Sequence, residues 1–165
     1  MKNFNRREFL GGAAAGGFAL FASKLEAQDI ERGPEDILND IEALKTSLSG
    51  LEEEISALGV AYGDHFKNDT LDQLDEEAKQ RFTSFLERAE IEWEKALTLF
   101  SQIQDLTQGT TITEYEQYGL SDHPNAQVLR SFSKLKPTLL GLLPLRMNIA
   151  REALGKEIVE YDLPF

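Results

Sequence analysis

The chain has 165 residues, a formal net charge of −12 and no cysteine. With 29 acidic side chains against 17 basic ones it repels polyanions, so neither nucleic acid nor anionic lipid is expected as a general partner. The missing thiols exclude disulfides, thioether-linked haem, thiolate-held clusters and lipidated cysteine, which leaves packing alone to hold the fold.

Residues 1–27, MKNFNRREFLGGAAAGGFALFASKLEA, read as an address rather than a folded element. Lys2, Arg6 and Arg7 precede an uncharged run from Phe9 to Ala22, and a polar stretch then ends in Ala27. That run would reach only about 21 Å as a helix, against a hydrocarbon core of about 30 Å, and Gly11, Gly12, Gly16 and Gly17 weaken it further. Arg6 and Arg7 followed by Phe9 and Leu10 resemble the bacterial twin-arginine (Tat) export signal, whose pattern is Ser/Thr-Arg-Arg-x-Phe-Leu-Lys. Asn5 stands in place of the Ser/Thr and Gly11 in place of the Lys. The resemblance implies that the Tat machinery reads Arg6, Arg7, Phe9 and Leu10. It implies cleavage after Ala27 with Leu25 and Ala27 as the recognised positions, no stable membrane span afterwards, and a periplasmic or secreted product. It also implies a cargo folded before export, commonly one that holds a cofactor or travels with a partner that does.

Residues 28–165 are expected to form a single helical-bundle domain, long enough for one core and too short for two ordinary ones. Residues 1–27 take four basic and two acidic side chains, leaving 13 basic against 27 acidic. The imbalance is uneven: residues 28–106 carry 20 acidic and 7 basic groups, whereas residues 107–165 carry 7 and 6. Between His123 and Arg151 there is no acid, but there are Arg130, Lys134, Lys136 and Arg146. Such a segment either lies along the acidic half and neutralises it, or receives an acidic partner.

Ile37, Ile41, Leu44, Leu48, Leu51, Ile55, Leu58 and Tyr62 are separated by alternating steps of four and three, an unbroken a/d seam. The spacing predicts a helix over 34–66, with Gly33 as N-cap, Pro34 at N1 and Glu35 and Asp36 at the positive end of the dipole. KNDT breaks it. Thr70 and Gln73 have capping-box spacing for a second helix, whose seam runs Leu71, Leu74, Ala78, Phe82, Phe85, Ala89, Trp93, Ala96, Phe100 and Ile103, with Gly109 as its stop. Two long helices with so short a connection should form an antiparallel hairpin.

The following stretch, QGTTITEYEQYGLSDHPN, is too long to lack structure. Thr113 and Glu116 have capping-box spacing for one helical turn ended by Gly119, with Tyr115 and Tyr118 covering an end of the bundle. Ser121 or Asp122 should cap the next helix, with Pro124 in its first turn. Leu129, Phe132, Leu135, Leu139, Leu142, Leu143, Met147, Ala150, Leu154 and Ile158 then share one broad face. Pro137 and Pro144 interrupt it. The expected fold is therefore all-α: an antiparallel bundle of three long helices, the third kinked or split at Pro137 and Pro144. A split would give four helices. Two long helices call for a third of similar length, which favours the kink.

Little in this pattern carries chemistry. His65 and His123 fall at opposite poles of such a bundle, and neither has Glu-x-x-His spacing. Glu87, Glu90 and Glu94 share a face but lack the carbonyl and amide oxygens of a calcium shell. There is no phosphate loop and no nucleophile motif, so neither an enzyme nor a cofactor is expected. The remaining candidate is PTLLGLLPL, uncharged and Leu-dense, flanked by Lys134, Lys136 and Arg146. It is either core passing through a kink, or an exposed face made of Lys136, Leu140, Leu143 and Arg146 that receives a partner or rests on a membrane surface, with Leu139 and Leu142 in the seam. The expected function is that of an exported accessory subunit or scaffold for another exported protein. The alternative is a carrier of a small ligand, pigment or metal between helices.

Overall fold

In the computed structural model α1 spans Pro34–Lys67, about 51 Å at 1.5 Å per residue. The structure describes residues 32–68 and 70–161, so the export residues Arg6, Arg7, Phe9 and Leu10 and the cleavage positions Leu25 and Ala27 lie outside the described residues. Pro34 occupies N1, and the Asp36 carboxylate accepts from the Gly33 N–H at 3.2 Å, tying the first turn to its cap. All seven aliphatic seam residues from Ile37 to Leu58 are buried, and Tyr62 is half-buried.

The second helix, α2, spans Glu76–Thr107 and starts later than its seam suggests. Leu71–Gln73 form a separate 3-10 turn, and Asp75 is the N-cap, its Oδ1 accepting from the Ala78 N–H at 2.7 Å. Thr70 does not cap: its hydroxyl and carbonyl each lie 3.1 Å from His65 Nδ1, back across the turn. Leu74 still reaches the core from this turn, while Leu71 packs at its margin. Tyr62 and Phe66 of α1 meet Phe82 of α2, and Arg88 pairs with Glu54, which fixes the antiparallel register of the hairpin. Gln108, with φ 51°, and Gly109, with φ 77°, close α2.

Helix α3 is short, Ile112–Gln117, and its capping box is Thr111–Glu114 rather than Thr113–Glu116. Glu114 Oε2 accepts from the Thr111 N–H at 2.7 Å, and this bond holds the Glu114 carboxyl below its usual range. Gly119, with φ 70°, ends the turn, and the Leu120 N–H reaches back to the Tyr115 carbonyl. Tyr115 is buried and stacks on His123, but Tyr118 is exposed. Helix α4 spans Pro124–Ser133 with His123, not Ser121 or Asp122, as N-cap: its Nδ1 accepts from the Asn125 N–H at 3.2 Å. Asn125 in turn donates to the Leu106 carbonyl, seating the start of α4 beside the end of α2. His123 and His65 thus stand at opposite ends of the bundle.

After Ser133 the chain keeps a helical path rather than breaking. Pro137 has no N–H for the Ser133 carbonyl, and the backbone tightens there through a Leu135 N–H to Phe132 carbonyl bond of 2.9 Å. A π-helical turn follows over Thr138–Leu142, closed by the Leu143 N–H on the Thr138 carbonyl, and α5 spans Leu143–Ala153 with Pro144 in its first turn. The widened turn moves the Leu140 carbonyl away from the Pro144 ring, which would strike it in a regular α-helix. The fold is an all-α bundle of three long helical elements, the third kinked. Residues from Gly33 onward form one compact unit with a single core cluster, and no described helix is long and apolar enough to cross a membrane.

The helical pattern does not run on to Ile158. Gly155, with φ 63°, stops α5, the Lys156 N–H caps the Arg151 carbonyl at 2.8 Å, and Ile158 lies exposed in an extended tail. The Asn148 amide clamps that tail as a peptide neighbour would, donating to the Val159 carbonyl at 2.9 Å and accepting from its N–H at 3.0 Å. Tyr161 rests edge-on against Trp93, 5.4 Å between centroids, and its hydroxyl accepts from Arg151 Nε. Burial pushes the Tyr161 phenol upward, and Arg151 only partly offsets this. A raised folded pKa adds stability that is complete below the ordinary tyrosine value of about 10 and is lost as pH rises through the folded value. Alkaline titration should therefore release the tail, read as faster exchange of the Val159 amide. In Tyr161→Phe the step should vanish; its persistence would place its origin elsewhere.

Candidate functional site

The third element's widened turn decides which leucines meet solvent. Leu135, Leu139, Leu143 and Met147 are buried at successive steps of four, which would carry an α-helical stripe about 120° around the axis. The π turn absorbs the surplus. Leu143 is consequently core, 4 % exposed, and not part of a docking face, whereas Leu142, expected in the seam, is 40 % exposed. Leu140 is 48 % exposed, as a docking face requires, and Leu145 joins it at 55 %.

Leu142, the last residue of the π turn, and Leu145 and Arg146 of α5 fall at i, i+3 and i+4 and share a face, with Leu140 one wide turn before Leu145. Gly141 lies between them, exposed; a Cβ there would meet nothing within 4 Å, so no internal packing calls for glycine. In a helix it costs about 1 kcal/mol against alanine, and what it leaves is a bare strip of backbone open to close approach. Lys136, half-buried, lines a separate depression with Phe100, Phe132 and Ser133.

Arg146 is the polar centre. It is half-buried at a crevice of about 20 Å³ between α1 and the third element, lined also by Leu48, Glu52, Thr138, Leu142 and Leu143, which has room for about one water and no ligand. Its Nε–H is buried with no acceptor. Arg130 and Arg151, in the same acid-free segment, are engaged internally: Arg130 donates to the Ser121 carbonyl and pairs with Glu116, and Arg151 pairs with Glu90. The basic segment thus reaches the acidic half in one ion pair, Arg151 with Glu90, while Arg130 pairs with Glu116 beyond that half.

Glu90 is removed by its ion pair from the row it shares with Glu87 and Glu94, and the described residues hold no group of three His, Asp or Glu arranged for a metal. A second, open depression between α1 and α2 is lined by Ser47, Gly50, Glu54, Arg88, Glu92 and Lys95. Its acids already have cations: Glu54 has Arg88, and Glu92 has Lys95 at 2.7 Å. Sequence reading missed the buried Glu92, which sits beside the seam residue Trp93 where a periodic pattern expects a polar group at the surface.

No protein-family model matches the chain, and no curated protein or solved structure matches it either. The functional reading rests on the face itself.

Proposed function

We propose that this chain is an exported helical-bundle protein, carried by the Tat pathway, that serves as an accessory subunit or scaffold for another exported protein. Its docking face is Leu140, Leu142 and Leu145 with Arg146. The observation that carries the reading is the pairing of three half-exposed leucines with a cation whose buried N–H has no acceptor. Covering the exposed half of each leucine contributes roughly 1 kcal/mol, enough for a specific contact once a few anchors combine.

Leu145→Asp tests the face. The substitution is at an exposed position, so stability should move by less than about 0.5 kcal/mol. Association with the native partner, isolated with the exported protein by cross-linking, should weaken by more than about 1 kcal/mol. Unchanged association would remove the face from consideration. The route has its own test: Arg6→Lys with Arg7→Lys should leave the precursor in the cytoplasm, because a receptor for the guanidinium fork does not accept two ammonium groups. Undiminished export of the double variant, or export from cells without Tat, would contradict it.

A further inference from the structure

We infer that α2 and α5 together form a reading site for an extended, tyrosine-bearing segment of a partner protein, and that the chain's own tail fills this site in the partner's absence. The site shares no residue with the leucine face. Side chains one turn apart on each helix build it: Glu90 and Trp93 on α2, Asn148 and Arg151 on α5. Arg151 is paired with Glu90, so its guanidinium keeps its place whether or not a segment lies across it.

One end of the site reads backbone. The Asn148 amide exchanges two bonds with Val159, donating to the carbonyl at 2.9 Å and accepting from the N–H at 3.0 Å, as an adjacent strand does. Ile158 and Val159 themselves stay exposed, so this contact asks for an extended chain and for no particular residue. Selectivity comes two residues later. Tyr161 sets its ring edge-on to Trp93, with centroids 5.4 Å apart, and its hydroxyl accepts from Arg151 Nε at 2.9 Å. A phenylalanine there would lose the Arg151 bond, and a small residue would lose the ring contact as well. Charge adds a preference for acidic segments. Glu157 and Glu160 stand on either side of Val159, and α5 carries no acid before Glu152 to oppose them.

The tail is a replaceable occupant. Gly155, with φ 63°, turns it out of α5, and beyond the Lys156 N–H its described hydrogen bonds to that helix are made at Val159 and Tyr161. A few net hydrogen bonds and one ring contact stand against the entropy of ordering the whole stretch, so the tail opens before the core does. Its opening leaves the Asn148 amide and the Trp93 edge ready for another chain. Because the tail is tethered, a competing segment must add contacts of its own to displace it.

The chain has a single tryptophan, Trp93, whose emission reports the site directly. The test titrates the mature protein with a capped peptide of sequence KEIVEY, that of residues 156–161. Tyr161→Ala removes the tail's anchor, so this variant should bind the peptide at least about tenfold tighter than the parent does. Methylating the peptide's valine nitrogen should weaken binding at least about threefold, and so should phenylalanine in place of its tyrosine. Alanine in place of its isoleucine should change binding less than about twofold. Asn148→Ala, added to Tyr161→Ala, should make the methylated and plain peptides bind alike. In the parent itself, excess peptide should shift the Val159 amide resonance toward that of a free tail, a reading that needs no variant.

Unchanged Trp93 emission in Tyr161→Ala at millimolar peptide would overturn the site, as would equal binding of the methylated peptide. Equal affinity of the parent and Tyr161→Ala would overturn its occupation by the tail. Concentration-dependent dimers of the parent that Tyr161→Ala abolishes would assign the site to tail exchange between two copies and overturn the partner segment.

Discussion

Leu143→Asp should unfold the bundle. The side chain is 4 % exposed and reaches the crevice floor with Leu48, Leu51 and Phe85. Removing it forfeits about 1.5–3 kcal/mol of apolar burial, and an unpaired carboxylate in its place adds several more. Together these approach the whole stability of an ordinary domain, about 5–15 kcal/mol. The new acid could recover part of the loss by turning to Arg146 three residues on. Leu143→Ala is therefore the control; it introduces no charge and should cost about 2–5 kcal/mol. Circular dichroism and thermal melting read both. A Leu143→Asp protein that melts cooperatively near the parent temperature would return Leu143 to the surface and refute the register described above.

That register is where sequence reading and structure part company. The α1 seam was legible because nothing competes with it: no proline or core-facing polar residue interrupts Ile37 to Leu58, and each aliphatic position in it is buried. The second seam was legible from Leu74 to Ala96 although buried Glu92 lies within it; Leu99 rather than Phe100 then enters the core, and the start of the helix was not legible. Thr70 and Asp75 are both sound caps, and the choice between them falls to His65, which engages Thr70 from the preceding helix. A contact across a turn leaves no mark in local spacing. Thr111 against Thr113 is a similar competition between neighbours, decided by which threonine takes the extended backbone.

The third element was legible in outline and wrong in detail, because two prolines distort it in opposite senses. One tightens the helix before Pro137; the other widens it before Pro144. Each slip moves the seam by a fraction of a turn, and the second exchanges Leu142 with Leu143 between surface and core. A clue was present in the spacing: Leu135, Leu139, Leu143 and Met147 run in steps of four, too long for a 3.6-residue period. Lys136, Leu140 and Arg146 were expected on one basic-rimmed apolar face; in the fold Leu140 is exposed and Arg146 half-buried, while Lys136 lines a different depression. Whether a given arginine finds a carboxylate is set by tertiary neighbours, so Arg130, Arg146 and Arg151 look alike in the chain and differ in the fold.

Phe82→Ala should be the most damaging truncation in the hairpin. The ring is fully buried near the start of α2, with Tyr62 at 5.8 Å and Phe66 at 6.1 Å between centroids, both from the last turns of α1. Truncating a buried phenylalanine costs about 3–5 kcal/mol, within which the aromatic pairs account for about 0.5–1.5 each. For a domain of this size each kcal/mol lowers the melting temperature by about 2–4 °C, so a fall of about 6–20 °C is expected. The site cannot easily collapse, because it is bounded by two long helices whose spacing is set along their length by Leu44, Leu48, Ile55 and Ala89 as well. Glu53→Ala supplies the comparison: the residue is exposed on α1, and its loss should change stability by less than about 0.5 kcal/mol. Chemical denaturation with an unchanged m-value would assign the difference to the folded state rather than to a more compact unfolded one. Similar midpoints for the two variants would mean that Tyr62 and Phe66 do not face Phe82, and the antiparallel register of α1 on α2 would have to be redrawn.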